Sequence, residues 1–203
     1  MKIRLILCDL GNVLINFDHR IAVRRILPFT DKNFNEVYQL FFDSKLTKDY
    51  EEGRISSQAF FRRLRRKLRL RSLSYRKFCA IWNEIFYANQ AMRKVLVELK
   101  KKYRLHLISN INELHYRYCL RKFPAHLKVF DRIFLSYKVG HRKPHVKIYR
   151  KAIEKLGISP GEVLYTDDRA DLIREARAIG FKTVLFKNAE DFKNRLIKLG
   201  ILP

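Results

Sequence analysis

Acidic side chains are scarce in this 203-residue chain: Asp and Glu number 20 against 44 Lys and Arg, a formal charge of +24. That balance favours anionic partners, whether nucleic acid, an anionic lipid surface or phosphorylated substrates. A generally basic or heat-adapted surface would look the same. Cysteine is sparse too. Cys8, Cys79 and Cys119 are odd in number, widely separated and without metal-ligand spacing, so they read as reduced packing thiols of a cytoplasmic protein. No apolar run reaches 18 residues, so no membrane-spanning helix is expected. The opening MKIRLILCDLGNVLI sets basic residues before apolar ones, but Asp9 interrupts the run and no small-residue cleavage site follows. A signal peptide is therefore not expected. There is no internal repeat, low-complexity tract or linker rich in Pro, Gly and Ser.

What is present is enough for a packed core: 47% hydrophobic and 13% aromatic residues exclude disorder. Short β-type apolar runs bounded by turn signals occur at IRLILC (3–8), RLHLIS (104–109), RIFLS (132–136), EVLYT (162–166) and KTVLF (182–186). Helical spacing fills the gaps, notably HVKIYRKAIEKLG (145–157) and RADLIREARAIG (169–180), each stopping at a glycine. Strands alternating with helices predict an α/β fold, a doubly wound parallel sheet covered on both faces. Residues 17–90 break the rhythm. They show no convincing strand and helical patterns near 33–43, 56–69 and 74–86, the second opening at Ser56 and Ser57. This predicts a core of residues 1–16 and 91–203 carrying a small inserted α-helical domain at 17–90.

In open α/β sheets ligands gather at the carboxyl ends of the strands. The residues just past those ends are Asp9, then Ser109 and Asn110, then Lys143, then Asp167 and Asp168. Crowded carboxylates need a cation to stay ionised, and oxygen-only ligands favour Mg²⁺. Ser109 and nearby N–H groups can donate to phosphate, and Lys143 offers compact positive charge. Asp9, so oriented, can attack phosphorus and form an aspartyl-phosphate. Each piece alone is also ordinary turn or helix-cap chemistry. Their order, each at a strand end, argues for one site.

These residues resemble the haloacid dehalogenase superfamily of Asp-nucleophile phosphohydrolases, over nearly the whole chain. DLGNVLI (9–15), LISN (107–110), KVGHRKPHVKIY (138–149) and YTDDRADLIREARAIG (165–180) look like its four motifs in order. The helical insert resembles the small α-helical cap of the family's beta-phosphoglucomutase-like branch. DLGNV, SNINELH (109–115), GHRKP and DDRAD look closest to sugar-phosphate phosphatases related to α-D-glucose-1-phosphate phosphatase. The resemblance implies a Rossmann-like core, a small phosphorylated substrate and Mg²⁺. It makes Asp9 the nucleophile and a metal ligand, with Ser109 and Lys143 at the transferring phosphoryl group. Asp168 would bind Mg²⁺ directly, Asp167 through water and Gly11 through its carbonyl. Asn110 would help hold substrate or loop, and His115, which aligns with a histidine of that subgroup, would either approach the site and bind substrate or lie on a helix surface.

One departure stands out. Most phosphatases of the superfamily carry a second Asp two residues after the nucleophile as general acid and base, and this chain has Gly11. General acid–base help is typically worth roughly 10²–10⁴-fold. The resembling subgroup also shows Gly there, so the enzyme reading stands. Two others remain beside it. One is an impaired phosphatase fold that binds nucleic acid or another polyanion, using RRLRRKLRLR (62–71), seven basic residues in ten; the other reading of that run is a solvated helix face. The last is a metal-independent 2-haloacid dehalogenase, but by resemblance those enzymes replace the Asp167–Asp168 pair with Ser and Asn. His19 is placed to contact substrate where the chain enters the insert. Trp82, Phe86 and Tyr87 read as the insert's core, one of them free to line a pocket. His141 and His145 lack a third ligand for a metal.

Overall fold

The computed structural model describes residues 2–154 and 156–203. Five strands form one parallel sheet: β1 (Leu5–Cys8), β4 (Arg104–Ser109), β5 (Arg132–Leu135), β6 (Val163–Asp167) and β7 (Lys182–Leu185), in the order β5-β4-β1-β6-β7. The ladders run Leu5 to Arg104 and Leu5 to Val163 on the two sides of β1, so β1 is central. Successive strand side chains point to opposite faces. Accordingly Ile6 and Cys8 join one apolar cluster, while Leu5 and Leu7 join the other. The first cluster is covered by α6 (Gln90–Lys100), α7 (Glu113–Lys122), the short α8 (Pro124–Leu127) and α12 (Ala189–Lys198). The second is covered by α10 (Val146–Ile153) and α11 (Ala170–Ala178), with α9 (Ser136–Val139) closing the end of β5. The sheet is thus doubly wound.

Between β1 and α6 lies a helical segment with its own core. It holds α1 (His19–Ile26), α2 (Phe34–Phe42), α3 (Lys45–Glu51), α4 (Ser57–Lys67) and α5 (Tyr75–Asn83). Phe41, Phe60, Phe78 and Trp82, all buried, pack ring against ring at its centre. Each of these helices begins on a side-chain cap, in turn Asp18, Asn33, Ser44, Ser56 and Ser74, accepting from an N–H two or three residues on. In α4 the residues Phe60, Phe61 and Leu64 are buried and every basic residue of 62–71 is exposed.

Three expectations change. Residues 17–90 are not free of strands: β2 (Ile15–Phe17) pairs antiparallel with β3 (Phe86–Ala88), tying the start of the segment to its end. Three-residue strands are too short to show a period of two. The pattern 74–86 was expected to be one helix, but α5 ends at Asn83, so Phe86 stands on β3. The helix expected over 145–157 stops at Ile153, and Lys155 lies outside the described residues.

Candidate active site

β1 is flanked by β4 and β6, and the chain leaves its two sides in opposite directions. That makes the carboxyl end of β1 the switch point of the sheet, where a crevice opens. Asp9 sits there. Its N–H donates to the Thr166 carbonyl at 3.0 Å, continuing the ladder to β6. The loop then doubles back: Asn12 adopts φ 52, and the N–H groups of Leu14 and Ile15 both reach the Leu10 carbonyl at 2.9 Å.

Lys143 links the strand ends. Its Nζ donates to Asp9 Oδ1 at 2.5 Å and to Asp167 Oδ2 at 2.6 Å, with all three side chains under 10% exposed. Burial alone would push the ammonium towards its neutral form, but Asp9 and Asp167 outweigh it and hold Lys143 above the ordinary lysine range. Asp167 is further held by the Tyr165 hydroxyl and, at Oδ1, by the Arg169 N–H at 2.9 Å. Burial raises its carboxyl, and Lys143 with these donors more than reverses that, so Asp167 ends lowered. For Asp9 burial wins over Lys143, and its carboxyl rises to about 7. Asp168 is raised as well, by burial and by Asp167 beside it. One oxygen from each of Asp9, Asp167 and Asp168 lies within 4.8 Å of the others. Three carboxylates share one ammonium, and this all-oxygen set fits a hard divalent cation.

The other expected residues fall around this cluster. Ser109 ends β4, is buried, and lines two adjoining cavities, one of about 220 Å³ over the carboxylates and one of about 80 Å³ behind it. Gly11 lines both. Asn110 spends both ends of its amide on Lys143, accepting from its N–H at 2.7 Å and donating to its carbonyl at 2.9 Å. It holds the loop. His115 faces the smaller cavity, but both ring nitrogens are engaged. Nε2 donates to the Trp82 carbonyl at 2.9 Å and Nδ1 accepts from Asn112 at 3.1 Å. Burial lowers its imidazole to about 3, so His115 is a neutral pin between α5 and α7.

His19, Trp82 and Phe86, which the sequence singled out, complete the walls together with Phe17 and Phe42, which it did not. Phe17, His19, Phe42, Trp82 and Phe86 line the smaller cavity, and His19 lies flat on Phe42 with centroids 3.6 Å apart. Burial lowers the His19 imidazole to about 4. Tyr87 is 54% exposed and takes no part. Glu51, the last residue of α3, lines both cavities and pairs with Arg142 Nε at 2.7 Å. Gly53 was the one local signal for this approach. It sits at φ +71, and a Cβ there would lie 2.2 Å from the Tyr137 carbonyl oxygen. None of the basic residues of 62–71 lines either cavity. No helix among the described residues is long and apolar enough to cross a membrane.

Comparison with known proteins places this geometry. Residues 3–180 match the haloacid dehalogenase-like hydrolase family. The D-ribitol-5-phosphate phosphatase of Bacteroides thetaiotaomicron is 26% identical over 201 residues, 96% of this chain and 97% of that protein. The glyceraldehyde 3-phosphate phosphatase of Pyrococcus abyssi is 32% identical over 102 residues, 47% of this chain and 40% of that one. A haloacid dehalogenase family enzyme of Bacteroides thetaiotaomicron, solved with magnesium and inorganic phosphate, matches with a TM-score of 0.84 at 27% identity. That match covers 95% of this chain and 98% of that chain.

Proposed function

Because the chain belongs to the haloacid dehalogenase-like hydrolases, we propose that it is a Mg²⁺-dependent phosphatase of a small phosphorylated metabolite, a sugar or polyol phosphate. The observation that carries this is the buried Lys143 ammonium bridging Asp9 and Asp167 with Asp168 beside them. Asp9 attacks phosphorus and forms an aspartyl-phosphate, which water then hydrolyses. Lys143 favours the ionised form of Asp9 and holds it in place, and its charge offsets that of the transferring group. Ser109 donates to a phosphoryl oxygen. Asp9, Asp168 and the Gly11 carbonyl would hold the metal; Asp167, with both oxygens already engaged, would act through water. Bound there, Mg²⁺ supplies charge neutralisation at the phosphoryl oxygens.

The smaller cavity supports this substrate class. About 80 Å³ walled by aromatic rings suits a short leaving group. The Trp82 indole Nε1 is buried without a partner in that wall, a donor suited to a substrate hydroxyl. That the relatives named above act on ribitol 5-phosphate and glyceraldehyde 3-phosphate accords with this reading. Residues 17–90 would be a cap over a core of 1–16 and 91–203, closing on the substrate and excluding water. A phosphorylated metabolite and three free cysteines suit a cytoplasmic site of action.

A panel of sugar and polyol phosphates with p-nitrophenyl phosphate, assayed for released phosphate, tests the reading. Turnover is expected with Mg²⁺ and not with EDTA. Asp9→Asn should lose roughly 10⁶-fold, the scale on which a missing nucleophile is felt. Full activity of Asp9→Asn would refute the mechanism.

A further inference from the structure

The place of the missing acid is filled. A Cβ on Gly11 would lie 2.7 Å from Cε1 of Phe17, whose ring stacks on His19 at 4.5 Å. A carboxyl cannot be seated there without moving that ring. Yet alkoxide departure from a polyol phosphate needs a proton, and help of this kind is worth roughly 10²–10⁴-fold.

The two cavities have few titratable groups outside the carboxylate cluster. Lys143 is bound between Asp9 and Asp167, and Arg142 is paired with Glu51 itself. His19, lowered to about 4 by burial, is unprotonated at neutral pH and lies flat between Phe17 and Phe42. His115 has both ring nitrogens engaged and is lowered to about 3 by burial, and Arg169 is paired with Asp171, which leaves Glu51. It reaches both cavities from the cap side, and its backbone is fixed on the core. Its carbonyl accepts from the Ser136 hydroxyl at 2.6 Å, and Ser136 Oγ accepts from the Ile111 N–H at 3.0 Å, just past Ser109 and Asn110. Glu52 next to it accepts from the Arg142 N–H at 3.3 Å. The Glu51 side chain is 19% exposed.

We infer that Glu51 is the general acid and base of the reaction, delivered from the cap in place of a side chain at position 11. In the first step the bond between Asp9 Oδ and phosphorus forms while the phosphorus–oxygen ester bond breaks. The departing oxygen takes the Glu51 proton. In the second, water attacks phosphorus, its proton passes to the Glu51 carboxylate, and the Asp9–phosphorus bond breaks to release phosphate. Burial raises the Glu51 carboxyl above the ordinary glutamate range, with Arg142 and then Arg169 pulling it down and Glu52 pushing it up. His19 faces the same cavity uncharged. The direction suits a group that must carry a proton to the departing oxygen.

This inference rests on the phosphatase reading, and its test separates the two. Turnover by the wild type, Glu51→Gln, Glu51→Asp and Arg142→Gln is measured on p-nitrophenyl phosphate and on ribitol 5-phosphate across pH. An aryl oxide leaves without a proton; a polyol oxide does not. Glu51→Gln should lose roughly 10²–10⁴-fold on ribitol 5-phosphate and far less on the aryl ester. It should also lose the fall in kcat that the wild type shows on ribitol 5-phosphate as pH rises through the Glu51 pKa. Arg142→Gln breaks the same ion pair but keeps the carboxyl, so that limb should move to higher pH and the preference between the two esters should stay. If Glu51→Gln does not fold, Glu51→Asp carries the test, keeping the limb and slowing the polyol ester more than the aryl one. Equal losses on both esters, or a selective loss reproduced by Arg142→Gln, would overturn the role of Glu51 and leave the phosphatase reading intact. A wild type inert on both esters would overturn both.

Discussion

The seat beside the nucleophile can be probed by adding one carbon. Gly11→Ala places a Cβ 2.7 Å from Phe17 Cε1, about a full ångström inside ordinary contact. The next atoms, Cδ1 at 3.5 Å and Cζ at 3.7 Å, are not in the way. Gly11 is not among the residues at positive φ, so the backbone accepts alanine and the cost lies in the ring. Phe17 cannot swing freely: it stacks on His19 and meets Phe86 edge-on at 6.1 Å. Overpacking of this kind costs about 1–3 kcal/mol, and in a protein of this length each kcal/mol lowers Tm by about 2–4 °C. Phe17→Leu removes Cε1 and Cζ, the atoms at the end of the ring. In that background Gly11→Ala should be neutral, or stabilising by about 0.4–1 kcal/mol through the unfolded chain. Denaturant titrations of the two single variants and the double variant give the coupling, expected at about 1–3 kcal/mol. The same cost in both backgrounds would show that the ring does not fill the seat.

Stability should also fall in acid through His115. Its ordinary value of 6.5 applies in the unfolded chain and about 3 in the folded one, so its contribution is present above pH 6.5 and lost as pH falls towards 3. The loss between pH 7 and pH 5 amounts to about 2 kcal/mol, and urea midpoints of the wild type and His115→Gln should converge as pH falls. The basic run is expected to be independent of the chemistry. Replacing Arg62, Arg63, Arg65 and Arg66 by Gln should leave kcat/KM on a small phosphate ester unchanged, since none of them lines the cavities. If the chain binds DNA through that face, the same change would lower the salt slope by about 0.9 for each phosphate no longer neutralised.

The sheet was legible in the sequence because a buried parallel strand is a short apolar run between breakers, and each expected run coincides with a strand. The carboxylates and Lys143 were legible for a related reason: topology brings strand ends together, so Asp9 and Lys143, 134 residues apart, meet at one crevice. Shorter elements were not. The strands Ile15–Phe17 and Phe86–Ala88 exist because each supplies the other's hydrogen bonds, which neither segment shows alone. Glu51 was hidden more deeply. It looks like any acid at the end of a surface helix, and only the docking of α3 on Ser136, Tyr137 and Arg142 brings it to the site. Gly53 marked a tight turn without saying what lay against it. His115, expected at the substrate, was legible in position but not in role, because its two bonds go to Trp82 and Asn112.

If residues 17–90 close as a cap, the position of the proton donor decides what that closure would accomplish. A donor at position 11 would ride on the same loop as Asp9 and be ready whether or not a substrate was enclosed. Carried by Glu51, it is in place only when α3 rests on the core, with its carbonyl on Ser136 and its carboxyl beside Arg142. An open enzyme would then hold a nucleophile without an acid, able to act only on esters whose leaving oxygen needs no proton. Closure would join the two, and the chamber it would form is the small one walled by Phe17, His19, Phe42 and Trp82. A leaving group too large for that chamber would keep the cap from seating and so forgo the proton as well as the fit. Selectivity among alkyl phosphates would then appear in kcat as much as in KM, because binding energy from the leaving group is used to bring the acid to the reaction.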